Sequence, residues 1–233
     1  MTLNLSRQSK LVPVDKIEEV TIKIFGVGSI GSHTAKALAK TGFKNIEVYD
    51  MDIVESENLA AQAFDFKHLK MNKVDAMKEI IKDASGIDIV THHGEIDADS
   101  DISPEPDTVY MCLFDSLPAR KMVFDKIKDY PVLFIDGRIG RYDMRYYFVD
   151  CINPEEKEEY EKTLVGDGVS DLECGEKASA PINLMISGMI VMNLVNYLKE
   201  EKQIKCMIGN ASAPKNNIYV LKNPIKKEVI EDD

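Results

Sequence analysis

A glycine-rich turn between a strand and a helix is the feature that most restricts the fold of this chain. Residues 20–31 read VTIKIFGVGSIG, a run of β-formers that ends in glycines, and residues 32–43 then show apolar residues at helical spacing. A second β-rich run, NIEVYD at 45–50, follows directly. The order of strand, glycine turn, helix and strand within about 30 residues predicts the start of a nucleotide-binding α/β sheet.

The alternation of strands and helices continues along the chain. Further helices are predicted at 67–84, 119–130 and 181–200, and further strands at 86–93, 108–114, 131–137, 141–150, 204–208 and 217–221. We therefore expect an α/β fold with a Rossmann-like, mostly parallel sheet, helices on both faces and extra C-terminal strands. Residues 1–233 are expected to form one domain. Its nucleotide-binding part is 1–137, and 138–233 add strands, a crossover loop or short helix over the sheet within 153–179, and an interface helix.

The three glycines of the turn have separate predicted roles. Gly26 permits a tight turn after the strand, Gly28 lets the backbone approach a phosphate, and Gly31 lets helix and strand pack closely. The helix N-terminus beyond them offers unpaired N–H groups and a partial positive charge. Asp50 ends the second strand, where a carboxylate accepts hydrogen bonds from ribose hydroxyls. This carboxylate suits NAD and ATP equally, so the motif alone leaves both open.

Further motifs, in a fixed order, extend this pattern. They are Arg7–Gln8, the glycine turn, the run YDMDIVESENLAAQ at 49–62, Lys73, and Asp115 with Arg120 five residues on. Together they resemble the superfamily of ubiquitin-activating enzymes and thiamine- and molybdopterin-type (ThiF-like) adenylyltransferases. The resemblance covers about residues 5–130. Beyond it, IDGRIGRYD and Cys174 are similar to shorter bacterial and phage members, with lower specificity.

The resemblance implies an enzyme that uses ATP to attach AMP to the C-terminal carboxylate of a ubiquitin-like or sulfur-carrier protein of the β-grasp fold. By the same resemblance, Asn58 and Gln62 hydrogen-bond the nucleotide, Lys73 reaches the phosphates, and Asp115 holds Mg²⁺. Taken alone, Lys73 also fits a solvated charge on an amphipathic helix. Asp115 likewise fits an N-cap of the helix near Pro118.

Two further roles are implied at the ends of the motif series. In dimeric members an N-terminal arginine reaches the neighbouring subunit's ATP site, which would make Arg7 catalytic in a homodimer; otherwise Arg7 belongs to a disordered arm. Cys174, in the polar loop LECGEK before a long apolar helix, is a candidate nucleophile that accepts the carrier as a thioester. Glu173 and Glu176 oppose thiolate formation there, while Lys177 favours it.

The sequence departs from the family pattern in two places. Ala61 stands where the family usually has an arginine, and losing such a phosphate contact costs about 1.5–3 kcal/mol. Arg138 and Arg141 are candidate replacements. The paired CxxC zinc site of many members is missing, so no zinc is expected.

Charge and composition limit the classes of partner that we expect the protein to bind. The chain has 29 basic and 40 acidic residues, a net charge of −11, which disfavours nucleic acid and anionic membranes. The apolar stretch 180–198 is interrupted by polar residues, so we expect a core or interface helix instead of a membrane span. Four cysteines without a CxxC pair suit the reducing cytoplasm. An NAD-dependent oxidoreductase and a non-catalytic nucleotide- or partner-binding relative are the alternatives.

Overall fold

One sheet forms the centre of the molecule in a computed structural model that describes residues 3–164, 179–210 and 217–221. Eight strands in this part of the chain have the order β3-β2-β1-β4-β5-β6-β7-β8. They are β1 Thr21–Phe25, β2 Asn45–Asp50, β3 Val90–His93, β4 Thr108–Cys112, β5 Leu133–Gly140, β6 Asp143–Asp150, β7 Cys206–Asn210 and β8 Asn217–Leu221. The first five strands are parallel, and β6 to β8 continue the sheet antiparallel. The predicted Rossmann-like fold with extra C-terminal strands is confirmed.

Helices cover both faces of this sheet. They are α1 Val14–Ile17, α2 Ser29–Thr41, α3 Lys73–Ser85, α4 Leu117–Ile127, α5 Pro154–Lys162 and α6 Ala180–Leu198. The larger apolar core joins α2, α3 and α6 to one sheet face, and a second core joins α4 and α5 to the other. Two buried layers explain why the parallel strands are apolar on both sides.

The chain reverses its direction of winding beside β1. From β1 it proceeds to β2 and β3 on one side, and then crosses back to β4 and β5 on the other. Ligands of open α/β sheets bind at such a switch point, outside the carboxyl ends of the strands. Here those ends carry the glycine turn after β1, Asp50 at the end of β2 and Asp115 just beyond β4.

The third helix begins later than the sequence predicts. The expected helix 67–84 is replaced by a short 3₁₀ turn at Phe66–His68 and by α3, which starts at Lys73. Between them Lys70 has a left-handed φ of 69°, which an α-helix does not tolerate. Lys73 therefore occupies the first turn of α3, at its positive end, and not the middle of a helical face.

One other boundary also differs from the expectation. Strand β5 runs through the expected division at residue 137 and ends at Gly140. Within 153–179, where a loop or short helix was expected, residues 154–162 form the short helix α5, and the Asn153 side chain before it accepts hydrogen bonds from the N–H groups of Glu155 and Glu156. Pro154 suits the first helical position, because its missing N–H is not needed there.

The long helix α6 is both a core helix and a surface helix. Ile186, Ile190 and Leu194 are completely buried against α2 and the sheet. Leu184, Met185 and Met192 are exposed by 40% or more. The helix is long and apolar enough to cross a membrane by length and composition, but half of its apolar window is buried inside this fold.

Candidate active site

The glycine turn has the geometry that its sequence predicts. Gly26 has a φ of +90°, and a Cβ there would lie 2.7 Å from the Cβ of Phe114. A Cβ on Gly31 would collide with the carbonyl oxygen of Gly26. Gly28 differs, because the nearest atom to an added Cβ is the Gln62 Nε2 at 3.9 Å. Thus Gly26 and Gly31 are required for packing, whereas at Gly28 an added Cβ would make only an ordinary van der Waals contact.

Asp50 is hydrogen-bonded to the backbone of this turn. Its Oδ2 accepts from the Val27 N–H at 2.8 Å, and its Oδ1 accepts from the Asp52 N–H at 2.9 Å. Burial raises the pKa of Asp50, while the Lys73 ammonium and the two N–H groups oppose the rise. Each carboxylate oxygen has a second lone pair, so both can still accept a hydroxyl hydrogen bond from a ribose.

Lys73 forms an ion pair at the edge of the same site. Its Nζ lies 2.7 Å from Asp52 Oδ2, and its N–H donates to the Asp52 carbonyl oxygen at 2.9 Å. The Lys73 side chain is only 8% exposed, whereas that of Asp52 is 53% exposed. Sequence reasoning assigned no role to Asp52. The paired spacing of Asp50 and Asp52 before Lys73 was the available signal.

Asn58 and Gln62 follow on the loop after β2. Asn58 Oδ1 accepts from the Glu55 N–H at 2.9 Å, so its acceptor is used within the loop and its NH₂ group remains a donor. Gln62 Oε1 is buried and has no hydrogen-bond partner among the described residues. Buried polar atoms are nearly always paired, so this acceptor fits a site completed by a bound donor. Its position beside Gly28 agrees with a nucleotide ligand.

The loop is held in place on both sides of Gln62. The Ala61 carbonyl oxygen accepts from Asn183 Nδ2 at 2.7 Å and lies 3.1 Å from His33 Nε2. The Ala63 N–H donates to Ser32 Oγ at 3.0 Å. Sequence reasoning assigned no role to Asn183, although an asparagine near the start of an apolar helix was a signal.

Asp115 is presented at the carboxyl end of β4. Its carboxylate is exposed, and it follows Phe114, which lies against Gly26. Nearby, the buried Arg120 guanidinium donates to the carbonyl oxygens of Cys112 and Gly137, both at 3.1 Å, and to that of Phe114. Arg120 therefore joins the ends of β4 and β5 and shapes the segment that carries Asp115.

Arg138 lies on the wrong side of the sheet to replace an arginine at position 61. Its Nε donates to Asp136 Oδ2 at 2.8 Å, its NH1 donates to the Thr163 carbonyl oxygen at 3.2 Å, and its guanidinium stacks on Tyr147. These partners belong to the face covered by α4 and α5, whereas Ala61 contacts α2 and α6. The prediction that Arg138 supplies the positive charge missing at Ala61 is therefore wrong, whereas the same role for Arg141 stays a prediction.

Arg7 is exposed and far from the glycine turn of its own chain. The Gln8 side chain donates to the Lys40 carbonyl oxygen at 3.1 Å, and Leu5 packs on Gly42. This places the N-terminal segment at the C-terminal end of α2. A helix of this length separates its ends by roughly 20 Å.

Three of the four cysteines lie in the part of the chain that the structure describes. Cys174 lies outside the described residues. Cys112, Cys151 and Cys206 are buried, and burial raises the pKa of each thiol to about 12. These three are unsuited to nucleophilic catalysis at neutral pH. The thioester role of Cys174 stays a prediction.

A metal ion bound by the described residues would have fewer than three His, Cys, Asp or Glu ligands from the protein. Residues 3–164 and 179–210 contain no group of three or more His, Cys, Asp or Glu placed to hold a metal ion. One exposed carboxylate such as Asp115 still fits Mg²⁺, which takes one or two protein carboxylates together with substrate phosphates and water. The expected absence of zinc stays a prediction.

Comparison with known proteins gives one family. The model of the ThiF family matches residues 4–228. SUMO-activating enzyme subunit 2 of Dictyostelium discoideum is 35% identical in an alignment of 114 residues, and the match covers 47% of this chain and 17% of that protein. Ubiquitin-like modifier-activating enzyme 5 of Branchiostoma floridae is 24% identical in an alignment of 238 positions including gaps, and the match covers 88% of this chain and 56% of that protein. The chain thus spans less than two thirds of these curated relatives.

Solved structures share the fold over most of the chain. MccB of E. coli, solved with AMPCPP and MccA, gives a TM-score of 0.72 at 16% identity, over 91% of this chain and 66% of that chain. PaaA gives a TM-score of 0.69 at 18% identity, over 88% of this chain and 65% of that chain. The family match covers nearly the whole chain, and the glycine turn and Asp50 lie at the switch point of the sheet. The protein therefore belongs to the ThiF family.

Proposed function

We propose that this protein uses ATP to adenylylate a carboxylate, and that its substrate is the C-terminal carboxylate of a ubiquitin-like or sulfur-carrier protein. The observation that carries the proposal is the meeting of three groups at one edge of the sheet. The glycine turn is uncrowded at Gly28, the N-cap of α2, Asp50 is bound to that turn, and the buried Lys73 ammonium lies close enough to Asp50 to affect its pKa. A sugar acceptor and two sources of positive potential suit a nucleoside triphosphate.

The reaction needs positioning and positive charge. A substrate carboxylate oxygen attacks the α-phosphorus of ATP, the bond from that phosphorus to the β-bridging oxygen breaks, and pyrophosphate leaves. Negative charge accumulates on the transferring phosphoryl group and on the leaving oxygens. The N–H groups at the start of α2 and the Lys73 ammonium are fixed before the reaction, so they stabilise this charge without reorganising.

The Lys73–Asp52 pair gives the lysine a defined position in the free enzyme. The Nζ atom is nearly buried and is held by one exposed carboxylate. Phosphate oxygens entering the site would compete with Asp52 for the same ammonium protons. Because Asp52 is exposed, it can release the lysine and be solvated by water. Lys73 would then contact the triphosphate without a change in backbone position.

Asp115 is the proposed magnesium ligand. A bound Mg²⁺ ion would neutralise phosphate charge and favour departure of pyrophosphate. The exposed Asp115 carboxylate follows Phe114, which touches the glycine turn, so it lies beside the space into which the phosphates would fit. A single protein carboxylate leaves the remaining coordination positions to phosphate oxygens and water.

The relatives support a macromolecular substrate. They include activating enzymes named for SUMO, NEDD8 and a ubiquitin-like modifier, and MccB was solved with MccA. For this chain we carry over only the chemistry, namely activation of a carboxylate on a carrier. Subsequent capture of the carrier as a thioester on Cys174 is part of the proposal, as is a cytoplasmic location.

A homodimer is also proposed. The N-terminal segment packs at the end of α2 that is remote from the glycine turn, so Arg7 would act in a second copy of the site. The exposed apolar residues Leu184, Met185 and Met192 on α6 provide a surface for a second copy of the chain. Arg7 would then complete the partner's phosphate site.

ATP–pyrophosphate exchange tests the proposal. We expect exchange only when ATP, Mg²⁺ and a small β-grasp protein ending in Gly-Gly are all present. Exchange without a carrier would contradict the substrate assignment. NAD binding without ATP binding would establish the oxidoreductase alternative. Because Ala61 lacks the family's arginine, ATP binding without exchange for any carrier would favour the non-catalytic alternative.

A further inference from the structure

The amide of Asn183 connects α6 with the nucleotide loop. Asn183 is completely buried in the first turn of a helix whose neighbouring side chains are mostly apolar. Its Nδ2 donates to the Ala61 carbonyl oxygen at 2.7 Å, across 122 residues of sequence. Its buried Oδ1 has no hydrogen-bond partner among the described residues, so the bond from Nδ2 to Ala61 is the contact that orients this amide and holds the loop.

The same carbonyl oxygen is approached from α2. His33 Nε2 lies 3.1 Å from Ala61 O. A carbonyl oxygen only accepts, so His33 must present its Nε2–H tautomer there. Burial lowers the pKa of His33, which keeps the ring neutral at neutral pH. Two helices from distant parts of the chain thus hold one backbone atom.

Gln62 lies between two fixed points. Ala61 is held through its carbonyl oxygen, and Ala63 is held through its N–H by Ser32 Oγ. The Gln62 side chain between them points toward Gly28, and its buried Oε1 has no hydrogen-bond partner among the described residues. The two anchors therefore determine where the Gln62 amide, whose Nε2 is the atom nearest to Gly28, meets a ligand.

We propose that Asn183 is a positioning residue for nucleotide binding, which holds Ala61 so that the Gln62 amide faces the bound nucleotide. The inference rests on the proposed function, because the ligand that satisfies Gln62 is taken to be ATP. It assigns to α6 a role beyond the core. It also gives position 61 a function that depends on its backbone carbonyl and not on an arginine side chain.

A double-mutant cycle tests whether Asn183 acts through Gln62. ATP dissociation constants are measured by calorimetry for the wild type, Asn183→Ala, Gln62→Ala and the double variant. We expect Asn183→Ala to raise the Kd about tenfold in the wild-type background and less than twofold in the Gln62→Ala background. Equal effects in both backgrounds would show that Asn183 does not act through Gln62 and would overturn the inference.

Asn193 provides a matched control in the same helix. It is also a buried asparagine, and it pairs with the Ile204 carbonyl oxygen at 2.9 Å and the Ile204 N–H at 2.7 Å. We expect Asn193→Ala to lower the unfolding temperature without changing the Kd for ATP by more than twofold. A similar loss of ATP binding in Asn193→Ala would mean that general destabilisation explains the result.

A second readout does not require a ligand. Hydrogen exchange of the Gln62 and Ala63 amides should accelerate at least tenfold in Asn183→Ala and remain unchanged in Asn193→Ala. If Asn183→Ala does not fold, the nearly isosteric Asn183→Leu replaces it, since it removes the donor while keeping the volume. Unchanged exchange in the variant would overturn the inference. Failure of the wild type to bind ATP would instead overturn the proposed function, and the nucleotide role of Asn183 with it.

Discussion

At Asp50, two effects on one carboxylate oppose each other. Burial disfavours the charged form, whereas the Val27 and Asp52 N–H groups and the Lys73 ammonium favour it, and burial is the larger effect. The site therefore holds a carboxylate that is harder to ionise than an ordinary aspartate, which titrates at about 3.9. The raised pKa of Asp50 can be tested by measuring how the stability of the fold depends on pH.

The stability of the fold should reveal the raised pKa of Asp50. A raised pKa contributes stability below the unfolded value, and this contribution is lost as pH rises through the folded value. We expect the unfolding free energy of the wild type, relative to Asp50→Asn, to fall as pH rises from below about 3.9. Denaturant unfolding across pH 3–7 measures it. Asp88, whose pKa Lys82 lowers, is the control, since Asp88→Asn should show the opposite slope.

Replacement of Lys73 tests the second group of the site. Lys73→Ala removes the ammonium that we propose to contact the triphosphate, and we expect ATP–pyrophosphate exchange to fall by about 100-fold or more. Lys82→Ala is the matched control, because Lys82 lies in the last turn of the same helix and pairs with Asp88 at the surface. Near-normal exchange in Lys73→Ala would contradict the assignment.

At the scale of elements, the sequence predicts the bounds of a strand or helix well where the neighbouring residues determine them. Strand β2 was predicted with its observed bounds, 45–50, because a glycine C-cap precedes it and polar residues follow. The start of α3 was missed, since the amphipathic spacing of 67–72 continues into the helix while Lys70 adopts a left-handed φ. Contacts such as Asn183 with Ala61 were beyond prediction, because their partners are brought together only by the packing of α6 on α2.

Close packing of the start of α2 against the turn after β1 should require a glycine at position 31. In Gly31→Ala the new Cβ meets the Gly26 carbonyl oxygen, a backbone atom that cannot rotate away, so the turn must shift. We expect a destabilisation of about 2 kcal/mol or more, together with loss of ATP binding.

Gly188 provides the comparison for that glycine. It also lies inside a helix, but nothing lies within 4 Å of an added Cβ. Gly188→Ala should be neutral or should stabilise the fold by up to about 1 kcal/mol, as the helix propensity of alanine predicts. Denaturant unfolding measures both variants under conditions where both have the same oligomeric state. Equal effects of the two substitutions would mean that the space at Gly31 is not critical.

At the scale of the whole molecule, the fold class followed from the alternation of strands and helices, because parallel strands need crossover connections. Whether the site is divided between two chains could not be determined in this way. Only the resemblance suggested that Arg7 acts in a partner subunit. The structure adds that the N-terminal segment lies at the remote end of α2, roughly 20 Å from the glycine turn.

Mixing of two inactive variants tests this division. If Arg7 completes the partner's site, Arg7→Ala and Lys73→Ala should each be inactive alone. In a mixed dimer one site receives both intact residues and the other receives neither. Random mixing in equal amounts should therefore restore about one quarter of the wild-type exchange activity, since half of the dimers are mixed and each has one working site.

The exposed face of α6 supplies the control for this experiment. Leu184→Asp places a charge on the proposed contact surface, where Leu184 is 57% exposed in the single chain. Introduced into both variants, it should prevent complementation and give monomers in analytical ultracentrifugation, while the unfolding temperature of the subunit stays nearly unchanged. Activity of the mixture that equals only the average of the two separate variants, with dimers still present, would show that each subunit contains its own complete site.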